Sequence, residues 1–161
     1  MRPATEADIP ALTAIRATPE VSSRWLIDDN DAEAAVRDDL DGDDIAAFVI
    51  EHEGRVVGYI QFGEEADEMY SHASIDLYLD PAVHSRGLGT DAVRTLSRYL
   101  FTVRGHHRLV IDPAADNTAA IRAYSKVGFK AVGVMREYEL GLDGKYHDGL
   151  LMEMLASDLP H

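Results

Sequence analysis

His84-Ser85-Arg86-Gly87-Leu88-Gly89-Thr90 joins two segments of different period. Ser74 to Leu79 before it reads as a strand. After it, Leu88, Ala92, Leu96 and Leu100 recur at i, i+4 with Val93 and Val103 beside them. That spacing marks a helix with one buried stripe, starting near Asp91 and ending near Arg104-Gly105. A strand that runs through a glycine-rich turn into a helix N-terminus presents unpaired backbone N–H groups, which suit phosphate oxygens. On its own, the pair of glycines leaves two readings open, a plain strand-to-helix turn or a cradle for the pyrophosphate of a cofactor. It lacks the third glycine of a dinucleotide fingerprint and the Gly-Lys-Ser/Thr end of a nucleoside-triphosphate loop.

Outward from this turn, helices and strands alternate. Thr5 with Asp8 three residues on resembles a capping box, and Ile9, Leu12 and Ile15 then recur at helical spacing, which predicts a helix over residues 6–16. Residues 18–30, with Pro19, Ser22, Ser23, Asp28, Asp29 and Asn30 around Trp25, read as a loop or broken helix before a second helix near 31–40. Ala46–Glu51 and Arg55–Phe62 read as strands joined at Glu53-Gly54, and with Ser74–Leu79 they predict an antiparallel meander. Leu109–Ile111 is a short strand that stops at Asp112-Pro113. Asn117 caps a helix reaching Val127, with Gly128 just beyond its end. Phe129–Leu140 and Tyr146–Leu155 flank the turn Gly141-Leu142-Asp143-Gly144 and read as a hairpin. The order predicts an α/β (α+β) chain with one central, mostly antiparallel sheet, and no repeat or linker divides residues 1–161.

Composition narrows the partners. The chain has 161 residues, 46% of them hydrophobic, and no cysteine, which removes disulfides and cysteine-rich zinc sites. No apolar run approaches the roughly 18 residues of a membrane span, and no secretory leader pattern opens the chain, so cytoplasm is the expected compartment. Residues 1–80 hold 20 of the 29 Asp and Glu against 5 of the 15 Lys and Arg, a net −15, whereas residues 81–161 carry +1. The acidic half reads either as solubility charge or as a field that attracts a cation. A pI near 4.7 lacks the basic footprint that nucleic acid requires. The seven histidines are scattered, and His106-His107 has no partner at metal spacing, so no metal is expected.

Three pieces together carry a resemblance: Leu77-Tyr78-Leu79-Asp80-Pro81, the turn Ser85–Thr90, and Asn117-Thr-Ala-Ala-Ile-Arg-Ala-Tyr124-Ser-Lys126-Val-Gly128-Phe129. They resemble the GNAT superfamily of acyl-CoA-dependent N-acyltransferases. The resemblance implies a sheet splayed at the cofactor strand and flanked by about four helices, with acetyl-CoA as co-substrate. It implies that backbone groups near Leu77, Tyr78 and Leu79 pair with pantetheine, and that His84, Ser85, Arg86, Gly87, Leu88, Gly89 and Thr90 take the pyrophosphate. Asn117 and Lys126 fall on the cofactor side, and Tyr124 sits where the family commonly has a tyrosine near the departing sulfur. A phenol there can donate a proton to a thiolate. Two departures stand out: His84 replaces the usual Gln or Arg, and the family's first strand is reduced to whatever Arg2 and its neighbours make.

For the acceptor, Ile75-Asp76, Ile111-Asp112-Pro113 and Ser22-Ser23-Arg24-Trp25 resemble the aminoglycoside 6'-N-acetyltransferases. That likeness implies Asp112 beside the acceptor amine, activating it directly or through water, and Asp76 as a second substrate-side carboxylate. Trp25, Glu64 and Glu65 complete the expected acceptor surface, since an aromatic face covers a sugar ring and carboxylates match ammonium groups. The ending Arg136-Glu-Tyr138, then Gly144-Lys-Tyr-His147-Asp148, also occurs in acetyltransferases of protein N-termini or polyamines. Three readings remain: an enzyme acting on aminoglycosides, one acting on N-termini or polyamines, and a non-catalytic acyl-CoA sensor. The expected partner is a cationic small-molecule amine, and the protein is expected to be a monomer or a homodimer through its late strands.

Overall fold

The computed structural model describes residues 1–25 and 31–159, so Asp28, Asp29 and Asn30 of the expected acidic loop lie outside the described residues. The chain opens with a two-residue strand β1 (Arg2–Pro3), which pairs antiparallel with the next strand through Arg2 and Val49. Arg2 also chelates Asp8 through two guanidinium nitrogens at 2.7 and 2.8 Å, and Asp8 Oδ2 accepts from the Thr5 N–H at 2.9 Å. The capping box therefore forms as read. It starts a single 3-10 turn at Glu6–Asp8, and only then the helix α1 (Ile9–Arg16). A short α2 (Pro19–Ser22) and α3 (Ala32–Asp41) follow.

The sheet then builds as a meander of β2 (Ile45–His52), β3 (Arg55–Glu64) and β4 (Ala73–Leu79), antiparallel throughout. After α4 (Leu88–Thr102) comes β5 (Arg108–Ile111), then α5 (Thr118–Val127), β6 (Lys130–Leu140) and β7 (Tyr146–Leu155). Among the described residues, seven strands lie in the order β1-β2-β3-β4-β5-β7-β6, with β4 and β5 parallel. Alternation splits the meander's side chains between two layers. Ile60, Phe62 and Ile75 pack with Val93, Leu96, Leu100 and Val127 of α4 and α5, whereas Val49, Tyr59 and Tyr78 pack with Leu12, Ile15 and Val36 of α1 and α3. Among the described residues five α-helices thus flank the sheet, where about four were expected; the extra one is the single turn that Pro19 initiates. Among the described residues, no helix is long and apolar enough to cross a membrane.

Candidate active site

The donor side begins where two strands part. β4 pairs with β3 from Ala73 to Leu79, yet it meets β5 only at Ala73 and Ser74. Beyond Ser74 its backbone edge toward β5 is open, which is the splay the resemblance implied. Leu77 and Leu79 anchor that edge by packing into the α4–α5 layer. Tyr78 contributes only backbone there, because its ring points to the opposite layer and stacks on Tyr59 at 5.3 Å.

The turn after β4 is shaped by local hydrogen bonds. Asp80 accepts from Ala82 N–H at 2.9 Å, and His84 Nε2 lies 3.2 Å from the Leu79 carbonyl oxygen. Ser85 and Gly87 take φ of 62° and 81°. The helix starts at Leu88, three residues before the expected Asp91, so Leu88, Gly89 and Thr90 form its first turn. Their N–H groups lack intrahelical acceptors and lie beside the open strand edge. A Cβ on Gly87 would meet nothing within 4 Å, so glycine serves the left-handed backbone and space for a ligand remains above it. Ser85 and Arg86 are exposed around this cradle, and Lys126 is exposed in the last turn of α5. Asn117 caps α5 by accepting from Ala120 N–H at 3.2 Å, which commits its oxygen and leaves its NH2 for a ligand.

Asp76, Asp112, Tyr138, Glu139 and Leu140 line a cleft of about 450 Å3 on the acceptor side. Asp76 shares a face of β4 with Tyr78 and is half-buried there, not a solvent-face residue as a strand position alone implies. Burial, reinforced by Asp112 and opposed by a hydrogen bond from Gln61, pushes its carboxyl up to about 6. Asp112 follows β5 on a segment tied to β7: Leu150 N–H donates to the Pro113 carbonyl at 2.9 Å, and Ala114 bridges to Gly149. A hydrogen bond to Asp112, together with burial, pushes the Tyr138 phenol up to about 12. Burial and then Asp112 raise Glu139, while Arg24 and His147 pull it back. Tyr124, packed against Phe129 at 6.4 Å, is pushed upward by burial and then by Asp76 and Asp112. One field therefore couples Tyr124 to both aspartates.

Tyr138 and Glu139 reach the cleft through a bulge in β6. The register slips between Met135 and Glu139, Glu137 adopts φ 48°, and its N–H donates to Asp148 Oδ1 at 2.8 Å. Gly149 on β7 leaves room for the ring, since a Cβ there would sit 2.9 Å from Tyr138 Cδ1. Sequence reasoning misses Glu139 and Leu140 as site residues and reads Tyr138 only as part of an ending, because a regular strand pattern carries no mark of an inserted residue.

The other expected acceptor residues are placed differently. Trp25 is half-buried and stands edge-on to Tyr78 at 5.1 Å and to Tyr59 at 6.3 Å, beside the layer that carries Asp76 but not among the residues that line the cleft. Glu64 is closed by Arg104 and His106, each at 2.6 Å, and these partners hold its carboxyl down to about 2. It does not line the cleft. Glu65 accepts from Asp67 N–H at 3.0 Å within its own exposed loop and does not line the cleft either. Charge and position in sequence suggest both residues, and partners some forty residues away decide otherwise for Glu64. Among the described residues, no group of three His, Asp or Glu is arranged to hold a metal ion.

Residues 1–130 match the family model described as acetyltransferase (GNAT) domain. A spermidine N(1)-acetyltransferase of Vibrio cholerae is 24% identical over 68% of this chain and 63% of its own length. The matched stretch spans 57–63% of the length of the curated relatives. A ribosomal-protein-alanine N-acetyltransferase from Brucella melitensis superposes with TM-score 0.75 at 26% identity, covering 96% of this chain and 98% of that one. AAC(6')-Ib in complex with paromomycin and acetyl-CoA gives TM-score 0.74 at 22% identity, covering 98% of this chain and 93% of that one.

Proposed function

Since the chain belongs to the GNAT acetyltransferases, we propose that it moves an acetyl group from acetyl-CoA to an amine of a cationic small molecule, with the 6'-amine of an aminoglycoside as the preferred acceptor. The observation that carries this is the convergence of Asp76, Asp112 and Glu139 on one open cleft, with Tyr124 in the field of both aspartates. Bound acetyl-CoA supplies an activated thioester carbonyl. The open edge of Ile75–Leu79 and the cradle from Ser85 to Thr90 fit its pantetheine and pyrophosphate, with Asn117, Lys126 and Arg86 at the margins.

On the acceptor side, Asp112 and Asp76 hold an ammonium group, which must come within about 3–3.5 Å of the carbonyl carbon to react. The amine loses its proton to this carboxylate pair, directly or through one water. Asp76 is suited to this, since burial raises its carboxyl toward the range of an amine. Glu139 takes a second ammonium of the same substrate, and Trp25 offers a wall for a sugar ring. Tyr124 keeps its proton at Oη across the physiological range, because burial and both aspartates push it up, so it acts as a donor and not as a base.

A second reading, a polyamine or a protein N-terminus as acceptor, is favoured by the likenesses to the spermidine and ribosomal-protein-alanine enzymes. An assay of free thiol release from acetyl-CoA against kanamycin, tobramycin, spermidine and a panel of N-terminal peptides decides between them. Turnover highest on kanamycin or tobramycin is expected. Turnover confined to spermidine or to peptides moves the assignment to the second reading, and binding of acetyl-CoA without turnover on any amine leaves a sensor.

A further inference from the structure

Behind Trp25 lies an ion pair that the chemistry above does not use. Arg16 is buried, with its side chain 7% exposed, and it pairs with Asp39 of α3. Burial pushes the Asp39 carboxyl up while Arg16 pulls it back. Removing both charges from water costs free energy that the pair's attraction offsets only in part, so stability alone explains it poorly. The guanidinium has other neighbours, however. Its central carbon lies 5.3 Å from the Trp25 ring centre and 6.0 Å from that of Tyr78, within cation–π range of both. Trp25 in turn stands edge-on to the stacked Tyr78 and Tyr59. Tyr59 donates its hydroxyl to Gln61 Oε1 at 2.7 Å, and Gln61 is the cross-strand neighbour of Asp76, so its amide stands beside that carboxylate on the same face of the sheet. With its oxygen claimed by Tyr59, the Gln61 amide has only its NH2 to offer Asp76.

We infer that Arg16, held by Asp39, is a positioning residue for the acceptor. It fixes the Trp25 ring and, through Tyr59 and Gln61, the orientation of Asp76. This rests on the reading of Trp25 and Asp76 as acceptor-facing.

Trp25 is the sole tryptophan of the chain, so its fluorescence reports on the ring directly. The double variant Arg16→Met/Asp39→Leu removes both charges at similar volume and is expected to fold, as melting followed by circular dichroism would show. Relative to wild type, its KM for kanamycin or spermidine, whichever turns over, should rise about three- to thirtyfold and kcat should fall as Asp76 loses its orientation, with acetyl-CoA affinity changing much less. Emission from Trp25 should shift to the red and become more accessible to acrylamide. Arg16→Lys keeps the charge but loses the planar stack, so it should fold whether or not the double variant does and give an intermediate change in both readouts. Folded variants with unchanged acceptor KM overturn the inference, whether or not the emission moves. Trp25→Ala separates the two levels. If it raises acceptor KM while the Arg16 variants do not, only the inference fails; if it leaves KM unchanged, the reading of Trp25 as an acceptor wall fails and takes the inference with it.

Discussion

A phenol pushed upward by burial and by two aspartates has one useful protonic state, the neutral donor. Tyr124→Phe keeps the ring that packs on Phe129 and deletes only the hydroxyl. Loss of a positioned general acid should lower kcat by about 10²-fold or more while acetyl-CoA affinity stays within about twofold. Thiol-release kinetics and a direct titration measure the two, and equal loss in both would make Tyr124 a packing residue. Asp76 leads to the opposite balance between stability and function. Its folded value, about 6, lies above the ordinary 3.8, so the folded protein binds more protons than the unfolded chain between those limits. Stability therefore falls as pH rises through that window, and at neutral pH the buried carboxylate is a net cost. Asp76→Asn should stabilise the free protein at pH 7.5 by about 1–3 kcal/mol, flatten the acid side of its stability profile, and raise the acceptor KM about tenfold or more. Thermal melts at pH 4 and 7.5 beside acceptor kinetics check this; an Asn variant less stable at pH 7.5 would show that hydrogen bonding outweighs desolvation.

Among the elements, α4 and the turn leading into it show what periodicity conveys. The i, i+4 stripe from Leu88 to Leu100 locates the helix, and Leu96 and Leu100 are fully buried, but the expected start near Asp91 is three residues late. A helix start is set by backbone dihedrals, here φ 81° at Gly87, which the side-chain pattern does not encode. The same limit hides the bulge at Glu137, and with it the route of Glu139 into the cleft. The place of Asp112 at a strand end before a proline is legible, and only the resemblance suggests it for the cleft it lines. Asp76 is suggested only by likeness, since its place in the cleft depends on Asp112 and on Tyr138 and Glu139 of β6, which come together only in the fold. Gly87 gives a test at this scale. With no atom within 4 Å of where a Cβ would stand, Gly87→Ala loses only the ease of the left-handed backbone, about 1–2 kcal/mol, and Gly87→Asn loses less. Urea melts should rank Gly, Asn, Ala in falling stability. Acetyl-CoA affinity should fall in the same order while acceptor KM holds steady; a larger effect on the acceptor would dissociate this turn from the donor.

Across the whole molecule, several of the 20 carboxylates behind the net −15 of residues 1–80 are engaged in ion pairs, mostly with arginines already counted in that net charge. Asp8 and Glu51 answer Arg2, Asp39 answers Arg16, Glu33 answers Arg37, and Glu64 answers Arg104. Such pairs project little field, so attraction of a cation depends on the remaining carboxylates, at long range, and on Asp76, Asp112 and Glu139 at contact. Salt separates these two contributions, because the screening length shrinks from about 10 Å at 0.1 M to about 3 Å at 1 M while contacts inside a cleft are screened far less. Raising ionic strength from about 0.05 to 0.5 M should therefore raise the kanamycin KM several-fold, and by more than that of a singly charged amine, with a smaller change in acetyl-CoA affinity. Steady-state kinetics with both amines at matched ionic strength measures the difference. A KM indifferent to salt would reduce the acidic half to solubility charge and leave acceptor choice entirely to the side chains that line the cleft.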